Sequence, residues 1–240
     1  MLIKSEGIIL RSVKYSESSL ILDIFTKEIG LATYIISGVR KTKSKSTAAN
    51  LQVGSILELI LYNNDNLKIN RVKEAKSLIL FNRLFFEIKR FSVALFLLEL
   101  LRKSIREREK NGELYDLIIK SIIFLDNSDS NLSNFHLVFL CRMAAIIGFG
   151  PENNFNDVNS IFDLRDGKFI DQIPYHKDYL KKNESIYLSK ILSLGIENSH
   201  ELKIKREEKM KILNNLILYY EIHIGNIGKI KTLEVFQNIF

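Results

Sequence analysis

The stretch Ser55-Ile56-Leu57-Glu58-Leu59-Ile60-Leu61-Tyr62 decides the fold class. Leu57, Leu59 and Leu61 fall on one face at a period of two, with Glu58 on the other. Asn63-Asn64-Asp65-Asn66 follows as a strong turn signal, because Asn and Asp side chains bond their own backbone. Leu67 to Lys76 comes next, with Leu67 and Ile69 alternating against Lys68 and Asn70. Period-two patterning between turn residues predicts half-buried strands. Three more such runs lie toward the N-terminus. Lys4 to Lys14 is rich in Ile, Leu and Val. Ser18 to Thr26 sets Leu20, Leu22 and Ile24 against Ile21, Asp23 and Phe25, and Glu28-Ile29-Gly30 reads as a tight turn. Leu31 to Val39 contains Tyr34, Ile35 and Ile36. Five short strands in so small a segment suit a closed barrel of the OB-fold type.

From Ser77 the period changes. Phe81, Leu84, Phe85, Ile88, Phe91, Leu95, Leu98 and Leu101 follow a three-to-four spacing, which predicts a long helix, apolar on more than one face and central to a bundle. Asn111 caps a second helix carrying Leu114, Leu117, Ile118 and Ile122. Ser133 caps a third over 134–147, stopped by Gly148 and Pro151. Further helices are expected from Asn183 to Gly195, over 203–222 ahead of Gly225, and over 229–240. Residues 150–182 read as irregular, with Asp166-Gly167 as a hairpin turn. The expected class is therefore α+β: an OB-fold barrel over 1–76, then an all-α domain over 77–240 with an irregular insert near 150–182.

The 240 residues are 46% hydrophobic and 26% charged, enough apolar surface for a core, which excludes wholesale disorder. The apolar run Val93–Leu98 is stopped by Glu99, far short of a membrane span. The first residues lack the apolar stretch of a secretory signal. With one cysteine, Cys141, no disulfide within the chain is possible, and a reducing, cytoplasmic setting is expected. The net charge is +7. Residues 1–75 carry 11 Lys and Arg against 7 Asp and Glu, and no acid occurs between Glu28 and Glu58. Inside that gap lies Gly38-Val39-Arg40-Lys41-Thr42-Lys43-Ser44-Lys45-Ser46, a basic loop between the third and fourth strands.

No catalytic constellation emerges. His136, His176, His200 and His223 show no metal-ligand spacing. Cys141, within Val138-Phe139-Leu140-Cys141, reads as a small buried hydrophobe. There is no G-x-S-x-G elbow. The Gly228-Lys229 pair fails as a phosphate loop, because Ile230 replaces the required Ser or Thr. Asp163, Asp166 and Asp171 read as a solvated turn rather than a cation site. No enzyme activity, cofactor or metal is expected. What remains is the basic loop on a barrel, which suits phosphate contact. Tyr15, Phe25, Tyr34 and Tyr62 are candidates for base stacking or for core filling, with core favoured for Phe25. The nucleic-acid reading leaves an RNA-binding OB protein open, and a non-catalytic interaction adaptor stands beside it.

Four blocks carry a family resemblance: Glu6-Gly7-Ile8-Ile9-Leu10-Arg11, Tyr15-Ser16-Glu17-Ser18-Ser19-Leu20-Ile21-Leu22, Phe25-Thr26-Lys27-Glu28-Ile29-Gly30 and Gly38-Val39-Arg40-Lys41. In order and spacing they resemble the bacterial recombination mediator RecO. Phe139 to Pro151, ending Gly148-Phe149-Gly150-Pro151, is similar to the family helix before its zinc-finger region, and Ile230 to Val235 to its C-terminal segment. The resemblance implies an OB-fold followed by helices, binding to single- and double-stranded DNA, and annealing of complementary strands. It implies partnership with RecR and with the acidic, apolar C-terminal tail of single-stranded-DNA-binding protein in loading RecA; involvement of RecF stays open. It implies a nucleoid-associated place in the cytoplasm and no membrane partner.

The chain departs from the family in two places. Residues 152–173 contain no cysteine or histidine where many relatives carry a four-cysteine zinc site, and Ser16 stands where relatives often have glycine. Ile161, Phe162, Leu164, Phe169 and Ile170 are expected to form an apolar cluster in place of the zinc. Expected phosphate contacts are Arg40, Lys41, Lys43 and Lys45 as a group, extended by Arg11 and Lys14 if these share a barrel face, and by Lys68, Arg71 and Lys73 on the fifth strand. The alternative path runs over Lys203, Lys205, Arg206, Lys209 and Lys211. A helical-domain groove rimmed by Lys or Arg is expected to receive the acidic tail.

Overall fold

The computed structural model describes residues 1–39, 48–64, 67–105, 108–225 and 227–239. Five strands, β1 (Leu2–Lys14), β2 (Ser19–Thr26), β3 (Gly30–Ser37), β4 (Ile56–Tyr62) and β5 (Ile69–Ser77), close into a barrel of order β1-β2-β3-β5-β4. This is the OB-fold topology, with the β3–β5 pair parallel and the other pairs antiparallel. The alternation in β4 is realised: Leu57, Leu59 and Leu61 are fully buried inside the barrel. Burying each such side chain stabilises the fold by about 1.5–3 kcal/mol. Leu22, Ile24, Tyr34, Ile36 and Val72 complete the interior. The turn at Glu28-Ile29-Gly30 forms with Gly30 at φ +85°, a left-handed conformation suited to glycine.

The fifth strand inverts the expected facing. Leu67 and Ile69 are 50% and 47% exposed, whereas Asn70 is 2% exposed. Asn70 is tolerated inside because its side chain is satisfied: Oδ1 accepts from the Asn64 amide at 3.0 Å and Nδ2 donates to the Asn64 carbonyl at 3.3 Å. A register irregularity opposite Ile60 and Leu61 then lets Ala75 rejoin the interior.

The barrel's compact unit extends past residue 76, to Asp126. It includes α1 (Ile88–Ser104) and α2 (Gly112–Asn127), the latter ending one residue beyond. The expected long helix from Ser77 thus begins eleven residues later, at Ile88. Residues 78–87 form turns instead, because the Asp126 carboxylate accepts from the amides of Asn82, Arg83 and Leu84 at 3.2, 2.8 and 2.7 Å. Amides held by a side chain in this way are not available to continue a helix. Helix α1 is not the centre of a bundle: its unit is the barrel's, where Arg102 reaches Asp23 on β2 at 3.4 Å. Asn111 caps α2 as expected, its Oδ1 accepting from the Leu114 amide at 2.9 Å.

The second unit, Asn127–Phe240, contains α3 (Phe135–Ile146), α4 (Lys182–Leu192), α5 (Arg206–Ile224) and α6 (Leu233–Ile239). Ser133 does not cap α3. The flanking residue is Asn134, whose side chain instead donates to the carbonyls of Ser199 and Leu202. The insert is ordered as a three-stranded sheet, β7-β6-β8, built from β6 (Ile161–Asp163), β7 (Lys168–Ile170) and β8 (Tyr179–Leu180). Phe162, Leu164 and Phe169 are buried; Ile161 and Ile170, a residue out of phase, are half-buried. Phe162 packs edge-on to Phe169 at 4.9 Å and lies 6.0 Å from Tyr219 of α5. The residues here do not fit a zinc site: Cys141 is buried in α3, and His176 is engaged with Asp163. Aromatic rings packed edge-on and tilted hold the insert instead.

Candidate nucleic-acid interface

The chain enters and leaves the basic run at two buried residues. Val39 lies in the barrel interior and its amide donates to the Ser18 carbonyl at 3.1 Å; Leu51, in a 3-10 turn at Ala48–Leu51, is buried in the same core. Arg40, Lys41, Lys43 and Lys45 themselves lie outside the described residues. The Ser18 contact places their point of departure beside the β1–β2 turn, where Lys14 pairs with Leu20 and the Tyr15 amide donates to Ser19. Lys14 is exposed with no ion pair among the described residues, and Tyr15 is 64% exposed.

Arg11 does not join Lys14. Three positions apart, the two occupy opposite faces of β1: Arg11 pairs with Asp23, whereas Lys14 pairs with Leu20, which packs toward the core. The Arg11 guanidinium is bound to Asp23 through Nε at 2.6 Å and a second nitrogen at 3.1 Å. Asp23 also accepts from Thr33 Oγ1 at 2.8 Å and from Arg102. Arg11 thus neutralises a buried carboxylate, and Arg102 ties the same carboxylate to α1. The hydrogen bond with Asp23 holds its pKa above the ordinary guanidinium value.

Lys68, Arg71 and Lys73 are exposed, with no ion pairs among the described residues; Lys68 stands just before β5 rather than in it. Of the four aromatic candidates, Phe25 and Tyr34 are core. Phe25 packs 6.3 Å from Tyr115 of α2, and burial pushes the Tyr34 hydroxyl up to about 12. Tyr15 and Tyr62 remain on the surface, at 64% and 44% exposure.

Arg108, Glu109 and Lys110, ahead of α2, lie against the barrel, which local periodicity gives no means of foreseeing. The Arg108 amide donates to the Leu31 carbonyl at 2.7 Å, and its guanidinium to the carbonyls of Asn64 and Leu67. Gly30 is pressed so closely that an added Cβ would stand 2.3 Å from the Glu109 carbonyl oxygen. Lys110 reaches Glu28 at 3.6 Å. One end of the β2–β3 region, part of the face that OB-folds usually offer to ligands, is therefore covered by the chain itself.

In the second unit, a groove of about 520 Å³ is lined by Arg206, Glu207, Met210, Lys211, Asn214 and Gln237. The alternative cation path crosses it but is partly consumed. Lys209 is buried, and that burial lowers its pKa; Arg206 donates to the Gln237 carbonyl at 3.0 Å; Lys211 bonds Glu208 at 3.3 Å. The histidines have packing roles. Burial pushes His136 down to about 3, His176 bonds Asp163, His200 bonds the Glu197 carbonyl, and His223 stacks on Phe149. Asp163 accepts from the amides of Arg165 and Asp166, so the expected solvated turn is an Asx turn. Burial pushes the Cys141 thiol up to about 12, in keeping with an inert hydrophobe. No group of metal-ligating side chains gathers among the described residues, and no helix among them is long and apolar enough to cross a membrane.

Comparison with known proteins matches both parts of the chain. Residues 1–81 match the family model described as Recombination protein O N terminal, and residues 86–234 match Recombination protein O C terminal. The chain is 30% identical over 240 residues to the DNA repair protein RecO of Azobacteroides pseudotrichonymphae, with all of both chains covered. The corresponding proteins of Phocaeicola vulgatus and Christiangramia forsetii are 32% and 34% identical, again over the full length of each. With both halves matched in order, and with an OB barrel at the position the N-terminal model covers, the chain belongs to the RecO family of DNA repair proteins.

Proposed function

We propose that the protein is a recombination mediator: it anneals complementary DNA strands and helps load RecA onto DNA coated by single-stranded-DNA-binding protein, with RecR as a partner. It acts on the nucleoid in the cytoplasm, as an adaptor rather than by turning over a substrate. The observation that carries this reading is the position of Val39, from which the sequence enters the basic run. Val39, the residue that precedes the run in sequence, lies next to the turn that holds Lys14 and the exposed Tyr15. Cations clustered in sequence neutralise phosphates without reading bases, as annealing of arbitrary sequences requires. An exposed tyrosine beside them adds a stacking contact worth about 1–3 kcal/mol. Arg11 is left out of this contact set, since its charge is spent on Asp23. The groove between α5 and α6, with Arg206 and Lys211 at its rim, receives the acidic tail of single-stranded-DNA-binding protein.

The test is annealing of two complementary strands already coated with single-stranded-DNA-binding protein, at near-physiological salt and without nucleotide or metal. Acceleration is expected. If naked DNA is bound but coated strands are not annealed faster, with or without RecR, the protein is a generic nucleic-acid binder and the mediator reading fails.

A further inference from the structure

Packing within the second unit leaves one edge of the insert's sheet unexplained. It runs Tyr175-His176-Lys177-Asp178-Tyr179-Leu180-Lys181, through the edge strand β8. Every second residue is turned inward and held. His176 Nε2 bonds the Asp163 carboxylate at 3.1 Å, and its Nδ1 accepts from the Asp178 amide at 3.3 Å. Arg165 donates to the Asp178 carboxylate through Nε at 2.8 Å and through a second nitrogen at 2.7 Å. The Asp178 carbonyl accepts from the Leu164 amide at 3.0 Å, and Leu180 is buried in register with Phe162. The residues between these anchors are left outside. Tyr175 is fully exposed, Lys177 and Lys181 are exposed, and Tyr179 is half-buried. Neither lysine has an ion pair, and neither tyrosine meets another ring, among the described residues.

Single exposed apolar side chains need no explanation, but this stripe differs in two respects. Its backbone is pinned from the inner side, so the outer side chains are placed before anything binds, which lowers the cost of binding. It also alternates ring and cation along the chain. A single nucleic-acid strand uses both: bases stack on the rings, and the cations neutralise phosphates. The nearby acids do not oppose this, since Asp163, Asp166 and Asp178 are bonded to His176, Lys168 and Arg165; Asp171, before the stripe, is the exception. Three occupants can be weighed. A second copy would set Lys177 and Lys181 against the same cations of its partner, a repulsive arrangement. A duplex offers phosphates but keeps its base faces stacked on one another, leaving Tyr175 no partner. A single DNA strand uses the whole stripe, and the family is one of DNA repair proteins.

We propose that this edge of the insert is a second single-stranded-DNA site, where Tyr175 and Tyr179 stack on bases and Lys177 and Lys181 hold phosphates. Beside the basic run of the first unit, it gives one chain a hold on each of two strands. The proposal rests on the mediator reading only in taking DNA as the ligand.

The experiment uses the full chain with Arg40, Lys41, Lys43 and Lys45 changed to glutamine, so that the basic run does not mask the insert. Into this background go Tyr175→Ser and, separately, Lys177→Gln with Lys181→Gln. All three side chains are exposed, so folding is expected to survive, and thermal melting checks it. The probes are a labelled thymidine oligonucleotide, a uridine oligonucleotide of the same length, and a duplex. Tyr175→Ser is expected to weaken thymidine binding about fivefold or more, the loss of one base stack, and duplex binding by less than about twofold. The lysine pair is expected to flatten the slope of log affinity against log salt by up to about 1.4 units on the single strand. Unchanged affinity and slope in the folded variants, no residual thymidine binding in the background chain, or an equal loss on duplex and single strand overturns the site. So does a stripe that binds only the uridine strand, or one whose loss weakens binding to single-stranded-DNA-binding protein but not to the oligonucleotide. If the site fails while the wild-type chain still speeds annealing of coated strands, the mediator reading stands. If thymidine binding depends on the stripe but the wild-type chain speeds no annealing, the site stands and the mediator reading fails.

Discussion

Replacing Asp126 tests whether a single carboxylate holds the barrel's exit in its non-helical form. Three amides depend on it, at 3.2, 2.8 and 2.7 Å, and they differ in what they lose. Asn82 is exposed, so water replaces the carboxylate at little cost. Leu84 is fully buried, and leaving its amide without an acceptor costs about 1–3 kcal/mol; Arg83, half-buried, falls at the low end of that range. Asp126→Ala should therefore destabilise the barrel-containing unit by about 3 kcal/mol. Asp126→Asn, which keeps one acceptor oxygen, should cost about half as much. In a thermal melt followed by circular dichroism, the alanine variant should unfold about 6–12 °C early. The pH dependence separates charge from packing. Burial alone would raise the Asp126 pKa, but the three amides outweigh it and hold it below the ordinary 3.8. A depressed carboxyl pKa contributes stability that is present above 3.8 and lost as pH falls through the lower folded value. The gap between wild type and Asp126→Asn should accordingly close as pH drops below 3.8 in urea titrations. An alanine variant that melts with wild type at neutral pH, or a gap that widens in acid, would refute the reasoning.

Gly30→Ala adds a Cβ at φ +85° and 2.3 Å from the Glu109 carbonyl, so the strap must move; a loss of about 2–4 kcal/mol in denaturant titration is expected, and a neutral result would mean the strap does not bear on the barrel. Phe162→Ala removes the buried centre of the insert's edge-on aromatic cluster and should cost about 3–5 kcal/mol, seen as early proteolysis within 152–180. Incubating the wild-type chain with a chelator should leave its melting curve in place, whereas a metal-stapled insert would melt earlier. Neutralising Arg40, Lys41, Lys43 and Lys45 together should flatten the slope of log affinity against log salt by up to about four units on duplex and about three on single strands. An unchanged slope would route the DNA over the alternative path of Lys203, Lys205, Arg206, Lys209 and Lys211 instead.

Much of this protein is written in local pattern. Leu57, Leu59 and Leu61 sit inside the barrel as their period requires, and Asn111 caps its helix. Cys141 is buried within an apolar helix, where its neighbours already placed it. These features depend on residues within a few positions of one another, so a sequence displays them directly. Where pattern misled, a distant group had intervened. The Asn70 side chain bonds Asn64 and turns the fifth strand's facing over, sending Leu67 and Ile69 outward. Asp126 reaches back 44 positions to Asn82 and delays the start of α1. Asp23 claims Arg11, a cation that charge alone assigns to DNA. A row on the barrel from Ile21 through Ile35 and Arg71 to Tyr62 exists only through strand register, because its members come from four separate strands. Periodicity states which residues can be buried and which are charged. Which of them meet is decided by hydrogen-bond partners and register, and these come into being only when the chain closes on itself.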